Sequence, residues 1–530
     1  MQTETIPFCK TGYFSKLICD YLAKEAAVKP FYNQYPDING FKKQIAEKRL
    51  SVHTASRTIL VQALENQYGN FSTTDETKRN IQLLEQENTF TVTTGHQLNL
   101  FTGPLYFLYK IISAINLAER LKLEFPEEHF VPVYWMATED HDFEEINYFN
   151  FKGKKIRWNR ESKGAVGRLS THGLEAVFDV FSGLLPKTES ADYLRDLFKK
   201  GYLEHDSLTD ATRYIANALF GRYGLVILDG DDSDLKQLFI PYMEGELLQQ
   251  KSYKEVSNTI ADLEKEYNIQ VNPREINLFY LTDNLRERIL FDKGVYRVNN
   301  TDIIFSKHEI IEQLHEKPER FSPNVIMRPL YQEIILPNLC YIGGGGELAY
   351  WFELKKYFER VKVPFPVLLL RNSVLLVSEK EAGKMEKLNI SNEELFMNAV
   401  DLISKKVREI SELKIDFSAQ REFLKAQFAS LEKIAEQTDK TFIGAVKAQT
   451  KKQLNGLDKL EKRLLKAEKK KHAELGNRIG ALKNEFFPGE GLQERTKNFS
   501  EFYLEYGDQL ITALKQDSAP LKLEFSIITL

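Results

Sequence analysis

Two kinds of apolar pattern alternate along the chain: short unbroken runs, and longer stretches in which apolar residues recur every three or four positions. Unbroken β-branched and aromatic runs mark strands buried on both faces, whereas the longer recurrence marks amphipathic helices. On this basis residues 13 to 88 form a helical preface (FKKQIAEKRL, TASRTILVQALENQYG), and residues 89 to 94 form the first buried strand. The stretch GPLYFLYKIISAINLAERLKLE then has helical period. Pro104 suits its first turn, where a missing N–H has no helical partner to lose. A second strand, Val131 to Thr138, completes a β-α-β unit, for which a right-handed parallel crossover is expected. Further strands are expected at Gly224 to Asp232, Asn338 to Glu347 and Pro364 to Ser373, with helices between them. Residues 150 to 175 and 268 to 310 read as short strands and turns inserted into the main sheet.

From about Ser411 to Glu485 the composition shifts to Lys, Glu, Ala, Gln and Leu. Leu424, Phe428, Leu431, Ala435, Thr438, Phe442 and Ala445 fall at alternating three and four spacings, as do Leu457, Leu460, Leu464 and Ala467. Heptad-like spacing sustained this long predicts a coiled coil. The Lys451, Lys452 and Lys469 to Lys471 clusters are most simply a solvated face. FFPGEG at Phe486 to Gly491 stops the helix, and more helix and a terminal apolar strand follow. The expected organisation is a segment 1–88 packing on a core 89–410, with insertions around 150–215 and 240–325. A coiled coil 411–487 follows, and 488–530 returns to the core.

Charge and cysteine content narrow the function class. A formal net charge of -4 over 530 residues gives no global attraction for nucleic acid or an anionic membrane. Cys9, Cys19 and Cys340 show no CxxC or zinc-ligand spacing, so neither a disulfide framework nor a structural metal is expected. With no leader-like segment and no run of about 18 apolar residues, the expectation is a soluble cytoplasmic protein.

The chemistry gathers where the apolar runs end. TFTVTTGHQ finishes in Thr94, Gly95, His96 and Gln97, and HFVPVYWMATEDHDF in Glu139, Asp140, His141 and Asp142. Ligands of open α/β sheets sit outside the carboxyl ends of the strands, so both clusters are expected in one shared hollow. The Gly95 to Gln97 turn and the helix after Gly103 offer N–H groups to a phosphate, with His96, Gln97 and Thr102 as hydrogen-bonding side chains. A tight turn with a satisfied His96 accounts for the same residues. Three acids around His141 call for a cation, a substrate amine or Mg2+, with His141 as general base, although helix capping by Asp140 or Asp142 explains part of the pattern. Gly344, Gly346 and Ala349 match the G-x-G-x-x-A form weakly, because Arg371 stands where a dinucleotide loop would need an acid. The loop is equally a backbone-lined wall, with Glu347 toward an amine or sugar hydroxyl. Arg328, with Gln332 and Glu333 one turn on, is placed either to clamp a carboxylate or phosphate or to pair with Glu333.

TGHQLNLFTGPLYFLYKIISAI, PVYWMATEDHDFEEIN, ERFSPNVIMRPLYQEIILPNLCYIGGGGELAYWFELK and the late LQER at Leu492 to Arg495 together resemble the cysteine-adding BshC family of bacillithiol biosynthesis, in order and spacing over nearly the whole chain. Members commonly carry Gln at the position of His96 and a proline within Gly343 to Gly346, and this chain departs at both. The resemblance implies an α/β fold: a Rossmann-like core of the nucleotidylyl-transferase and class I synthetase type, with connecting-peptide insertions and an α-helical coiled coil that makes a homodimer. It also implies the amide-forming ligation of cysteine to glucosaminyl-malate, with ATP or ADP as the nucleotide.

In that scheme His96, Gln97, Glu139, Asp140, His141 and Asp142 are catalytic. Thr94, Gly95, Thr102, Gly103, Arg328, Gln332, Glu333, Gly345, Glu347 and Tyr350 bind substrate, Arg328 through the malate carboxylates. Trp351, Arg371 and Arg495 serve a nucleotide by base stacking and phosphate pairing. Other readings are a synthetase-like ligase for another amino acid, an NAD(P)-dependent oxidoreductase with Arg371 on a 2′-phosphate, and an interaction protein working through its coiled coil.

Overall fold

The computed structural model describes residues 2–51, 54–69, 71–438 and 440–530. The chain divides into two compact units, residues 1–375 with 494–528, and residues 376–493 with 529–530.

In the first unit, five strands carry the site: β1 (Thr89–His96), β2 (His129–Met136), β3 (Val226–Asp229), β4 (Asn338–Gly343) and β5 (Val367–Leu370). They lie in the order β3-β2-β1-β4-β5 and every neighbouring pair is parallel. The chain runs outward from β1 through β2 to β3, then crosses back to place β4 on the other side of β1. The sheet therefore has its topological switch point between β1 and β4, where open α/β sheets leave a crevice at the carboxyl ends. β1 is buried along its whole length despite four threonines. The hydroxyls of Thr91 and Thr93 donate to Asn338 Oδ1 (3.1 and 2.8 Å), and that of Thr94 donates to the Ile342 carbonyl (2.8 Å). Satisfied in this way, these three hydroxyls avoid the cost of a buried unpaired polar group, which Thr89 Oγ1 alone of the four retains. Phe90, Val92, Leu117, Leu121, Leu339, Ile342, Val367 and Leu369 fill one core cluster. Leu117 and Leu121 come from helix α1 (Tyr106–Glu124). Helix α2 (Arg328–Ile335) leads into β4, and α3 (Gly345–Phe352) follows it.

Two insertions flank this sheet. One begins with the hairpin Tyr148–Phe151 and Lys154–Arg157. The other contains a five-stranded antiparallel sheet that includes Leu278–Thr282, Leu285–Asp292, Val295–Val298 and Phe321–Pro323. Lys152-Gly153 and Lys293-Gly294 make two-residue turns with positive φ at both positions (48° and 74°, 49° and 84°), the backbone twist that closes tight hairpins.

Three expectations need correction. The segment 1–88 contains a strand, Gln2–Pro7, ahead of the helical preface. β3, β4 and β5 are shorter than expected because their polar or glycine-rich ends leave the ladder, whereas β1 runs two residues further, to His96, and β2 lies two residues earlier, at His129–Met136. The division falls at residue 375 rather than 410. Helix α4 (Ala399–Ile410) belongs to the second unit, where Lys469 Nζ of a later helix donates to the Val400 carbonyl.

That second unit contains α5 (Ser418–Ala435), α6 (Lys440–Lys471) and α7 (Ala473–Phe486). α5 and α6 form an antiparallel pair tied by Arg421 to Asp458 (2.8 Å) and Glu461 (2.5 Å). Phe423, Leu431, Ile434, Phe442 and Leu460 remain exposed on it. No described helix is long and apolar enough to cross a membrane.

Candidate active site

Two adjoining cavities open at the carboxyl ends of the strands. The first, about 440 Å³, lies at the switch point and is walled by Gly95, His96, Lys110, Tyr341, Gly344 and Glu347 among others. The second, about 490 Å³, lies between the β2 tip and the inserted antiparallel sheet, with Glu139, Asp140, His141, Arg274, Arg286 and Arg288 in its wall. Trp135, Ala137, Val325 and Arg328 line both. Gln97, in the first, donates from Nε2 to Asp140 Oδ2 (3.0 Å), in the second. The expected single hollow is thus a pair of chambers joined at Arg328 and Gln97.

In the switch-point chamber most charge is already satisfied within the protein. Lys110 is buried and donates to the Gly95 carbonyl (2.7 Å) and to Glu347 Oε1 (2.8 Å). Tyr341 donates to the same carboxylate (3.0 Å), whose other oxygen caps α3 by accepting from the Gly344 N–H (2.8 Å). Burial alone would raise the Glu347 pKa, but Lys110 and these hydrogen bonds outweigh it and hold the carboxyl below its ordinary value. Burial and, secondarily, Lys110 push the His96 pKa well below the ordinary imidazole value, so the ring is neutral; it hydrogen-bonds the Thr102 backbone and leaves Nε2 unpartnered.

Arg371 makes a buried two-point contact with Glu494 (3.0 and 2.6 Å). Arg328 differs. It donates to Gln332 Oε1 (3.1 Å) and to the Tyr350 hydroxyl (3.0 Å), both neutral, and lies 5.9 and 5.8 Å from the ring centres of Trp135 and Tyr341. Among the described residues no carboxylate lies within ion-pairing distance of it.

The turn after β1 is held from outside. Phe101, Thr102 and Gly103 take positive φ in succession (48°, 67° and 64°), a conformation that costs energy for the first two residues. Asn498 Nδ2 donates to the Phe101 and Gly103 carbonyls (2.8 and 2.6 Å), and the Tyr202 hydroxyl accepts from the Phe101 N–H (2.7 Å). A side chain at residue 103 would meet Asn99 Cβ at 2.5 Å, so only glycine fits.

Ion pairs form the floor of the second chamber. Glu139 bonds Lys236, which also lies 3.8 Å from Asp231, itself bound by two nitrogens of Arg168 (2.7 and 2.9 Å). Burial, then the charge of Asp231, pushes Asp229 up to about 6. Burial opposes ionisation of Asp140, but hydrogen bonds from Gln97 and the His141 backbone N–H, with the charge of Arg286, outweigh it and hold its pKa well below the ordinary value. His141 Nδ1 faces Arg286 Nη1 at 2.9 Å and Asp140 Oδ1 at 3.5 Å. A guanidinium only donates, so in this arrangement Nδ1 accepts and the proton sits on Nε2.

Several expected site residues are placed elsewhere. Thr94 is locked to Ile342 in the sheet. Thr102 and Gly103 shape the turn behind His96 without lining either main chamber, and at the N-terminus of α1 the Leu105, Phe107 and Leu108 N–H groups already donate to the Lys497, Pro104 and Leu105 carbonyls (2.7, 3.1 and 3.0 Å), which leaves little to offer a phosphate. Glu333 bonds Lys48 (3.0 Å) and Asn338 (2.6 Å) at the amino end of β4, the edge opposite the tips, and Gln332 braces Arg328 from behind. Gly345 faces Ile18 and Phe14, while Gly344 and Gly346 line the chamber. Trp351 is fully buried against Tyr341 (ring centres 4.5 Å apart), so it has no free face for a base. Arg371 does line the switch-point chamber, but Glu494 takes both of its terminal nitrogens and neutralises its charge, which leaves only Nε without a partner and weakens it as a site for a nucleotide phosphate or a 2′-phosphate. Asp142 is exposed and lines neither chamber. Gly95, His96, Gln97, Glu139, Asp140, His141, Arg328, Glu347, Tyr350 and Arg495 do converge on the two chambers.

Lys110, Lys236, Arg168, Arg274, Arg286, Arg288 and Glu494 were not singled out from sequence. Only Lys110, a lysine inside an apolar helix, carried a visible signal. Among the described residues no three His, Cys, Asp or Glu side chains group as a metal site.

Family comparison agrees with this architecture. Residues 1–372 match the model for the bacillithiol biosynthesis BshC N-terminal Rossmann-like domain, and residues 374–530 match that for the BshC C-terminal coiled-coil domain. Proteins named "Putative cysteine ligase BshC" are similar over the full length. That of Flavobacterium johnsoniae is 58% identical over 530 residues, covering 100% of both chains. That of Flavobacterium psychrophilum is 59% identical over 529 residues, covering 100% of this chain and 99% of its own. The Cytophaga hutchinsonii protein is 38% identical over 518 residues, covering 98% and 97%. The parallel sheet with its switch-point chambers and the antiparallel helical hairpin are thus the two domains of a member of the BshC family of bacillithiol biosynthesis, to which this chain belongs.

Proposed function

We propose that the protein is a cytoplasmic ligase that joins the carboxyl of cysteine to the amino group of glucosaminyl-malate, forming the amide of bacillithiol after carboxyl activation. The observation that carries this reading is Arg328, a guanidinium without a carboxylate partner at the junction of two chambers at the switch point. An unneutralised, inward-facing guanidinium favours an anionic ligand. Arg274 and Arg288, whose guanidinium groups also lack ion pairs among the described residues, extend this anion-binding surface across the second chamber to the malate carboxylates.

Amide formation from a carboxylate requires a leaving group, which an adenine nucleotide would supply. Its phosphates fit the switch-point chamber beside Arg328 and Arg495, rather than the already bonded N-terminus of α1 or the engaged Arg371. The tip acids are already bonded to Lys236, Gln97 and the His141 backbone, so they make a poor Mg2+ cage, and no step here runs through a metal. Substrate carboxylates that draw Arg286 away release His141 Nδ1, beside Asp140, to take the proton from the attacking amine.

The exposed Phe423 and Leu460, on a groove of about 1120 Å³ along α5 and α6, make a second copy of the chain the proposed partner of the coiled coil. Incubating the purified chain with cysteine, glucosaminyl-malate and ATP, with mass-spectrometric detection of products, tests the ligase reading. Bacillithiol together with nucleotide cleavage is expected. Absence of both in the active, folded preparation overturns it.

A further inference from the structure

A third chamber, about 320 Å³, opens beside the switch-point cavity and shares Gln97, Tyr106 and Arg495 with it. Three carboxamides meet there, and each has its NH2 group engaged by a protein oxygen. Gln97 Nε2 donates to Asp140 Oδ2 (3.0 Å) and Glu145 Oε2 (2.8 Å), Asn99 Nδ2 to the Glu145 carbonyl (3.2 Å), and Asn150 Nδ2 to the Thr496 carbonyl (2.9 Å). Turning any of these amides over would set oxygen against oxygen, so their carbonyl oxygens are what remain for a ligand. Asn99 is only 8% exposed, and its Oδ1 is buried with no partner. A buried acceptor without a partner beside a polar chamber carries a desolvation cost that a bound donor, reached by a small turn of the side chain, removes. The Glu145 carboxylate adds a full negative charge, while Arg495 stands where the two chambers meet.

We propose that this chamber is an ammonium subsite, in which Asn99 Oδ1, Asn150 Oδ1 and the Glu145 carboxylate bind a protonated primary amine. The inference rests on the ligase reading and deepens it. An amine held as ammonium has no lone pair and cannot attack, so the subsite keeps the α-amine of one cysteine from displacing the leaving group of a second activated cysteine in place of the sugar amine. Arg495, at the mouth, faces the adjacent carboxyl. The same chemistry would accept an amino sugar, and the test separates the two sources.

Binding to the full-length protein is measured by calorimetry with L-cysteine against 3-mercaptopropionate, which lacks the amine, and with glucosamine against N-acetylglucosamine. We expect cysteine to bind about ten-fold tighter than its deaminated analogue. Asn99→Leu is expected to abolish that margin while leaving 3-mercaptopropionate binding unchanged, and Asn99→Asp to keep it. Asn150→Leu serves as the independent variant if Asn99→Leu does not fold. A margin found only for glucosamine assigns the subsite to the sugar amine. No amine preference in the wild type, or one that survives both leucine variants, overturns the subsite. Bacillithiol formation by the wild type, assayed in parallel, reports on the ligase reading separately: product formed with indifferent variants rejects the subsite alone.

Discussion

Across the switch-point chamber and its neighbour, basic side chains are put to two different uses. Lys110 and Arg371 each face a carboxylate, the half-buried Glu347 and the fully buried Glu494, with hydrogen bonds completing the contact. Arg274, Arg288 and Arg328 have no such partner among the described residues. A buried cation already paired is part of the framework, and its charge is largely unavailable to a ligand. A cation braced by neutral groups retains its field. Counting charges in a cavity therefore misleads unless each is followed to its partner.

The largest expected effect breaks the framework side of this contrast. Arg371→Met leaves Glu494 charged and buried, so unfolding by urea should show a loss of about 3–5 kcal/mol, and the double variant with Glu494→Leu should recover most of it. Next, Arg328→Met should leave the urea midpoint nearly unchanged while lowering kcat/KM for amide formation about 30–100-fold, the equivalent of about 2–3 kcal/mol. Equal losses of stability in the two arginine variants would erase the distinction.

A third test concerns Glu353, which burial raises to about 7 although it accepts from the Gln270 and Val271 N–H groups. The folded chain holds a proton there that the unfolded chain has released from about pH 4.5 upward. Stability is thus greatest below about pH 4.5 and is lost as pH rises from there through about 7, on the order of 3 kcal/mol. Glu353→Gln should flatten that slope in unfolding curves taken between pH 5 and 8. The smallest effect is at His96. Because its ring is neutral, His96→Gln should keep the turnover rate within about three-fold, under 1 kcal/mol, and leave the pH–rate profile unshifted, whereas a titrating catalytic histidine would move it.

Much of the site was legible from sequence because strand tips announce themselves. The polar residues of TFTVTTGHQ and HFVPVYWMATEDHDF gather at or just past the end of the ladder, and Gly95, His96, Gln97, Glu139, Asp140 and His141 all reach the chambers. Glu333 misled because one helical turn separates it from Arg328. That turn suffices to carry it from the ligand end of the sheet to the base, where Lys48 waits 285 residues away in sequence. Arg371 and Trp351 misled for another reason. Residue type indicates what a side chain can bind, but not which partner already holds it.

Local sequence determined where strands and helices begin and end, the parallel Rossmann-like core and the heptad hairpin, since those follow from apolar period and turn chemistry between near neighbours. Tertiary structure alone decided which charges stay available. The answer depends on pairs such as Arg371 with Glu494 and Lys236 with Glu139, and on the Asn498 clamp across 395 residues to Gly103. Electrostatic and hydrogen-bond energies act over a few ångströms of space, a distance that separation along the chain does not encode.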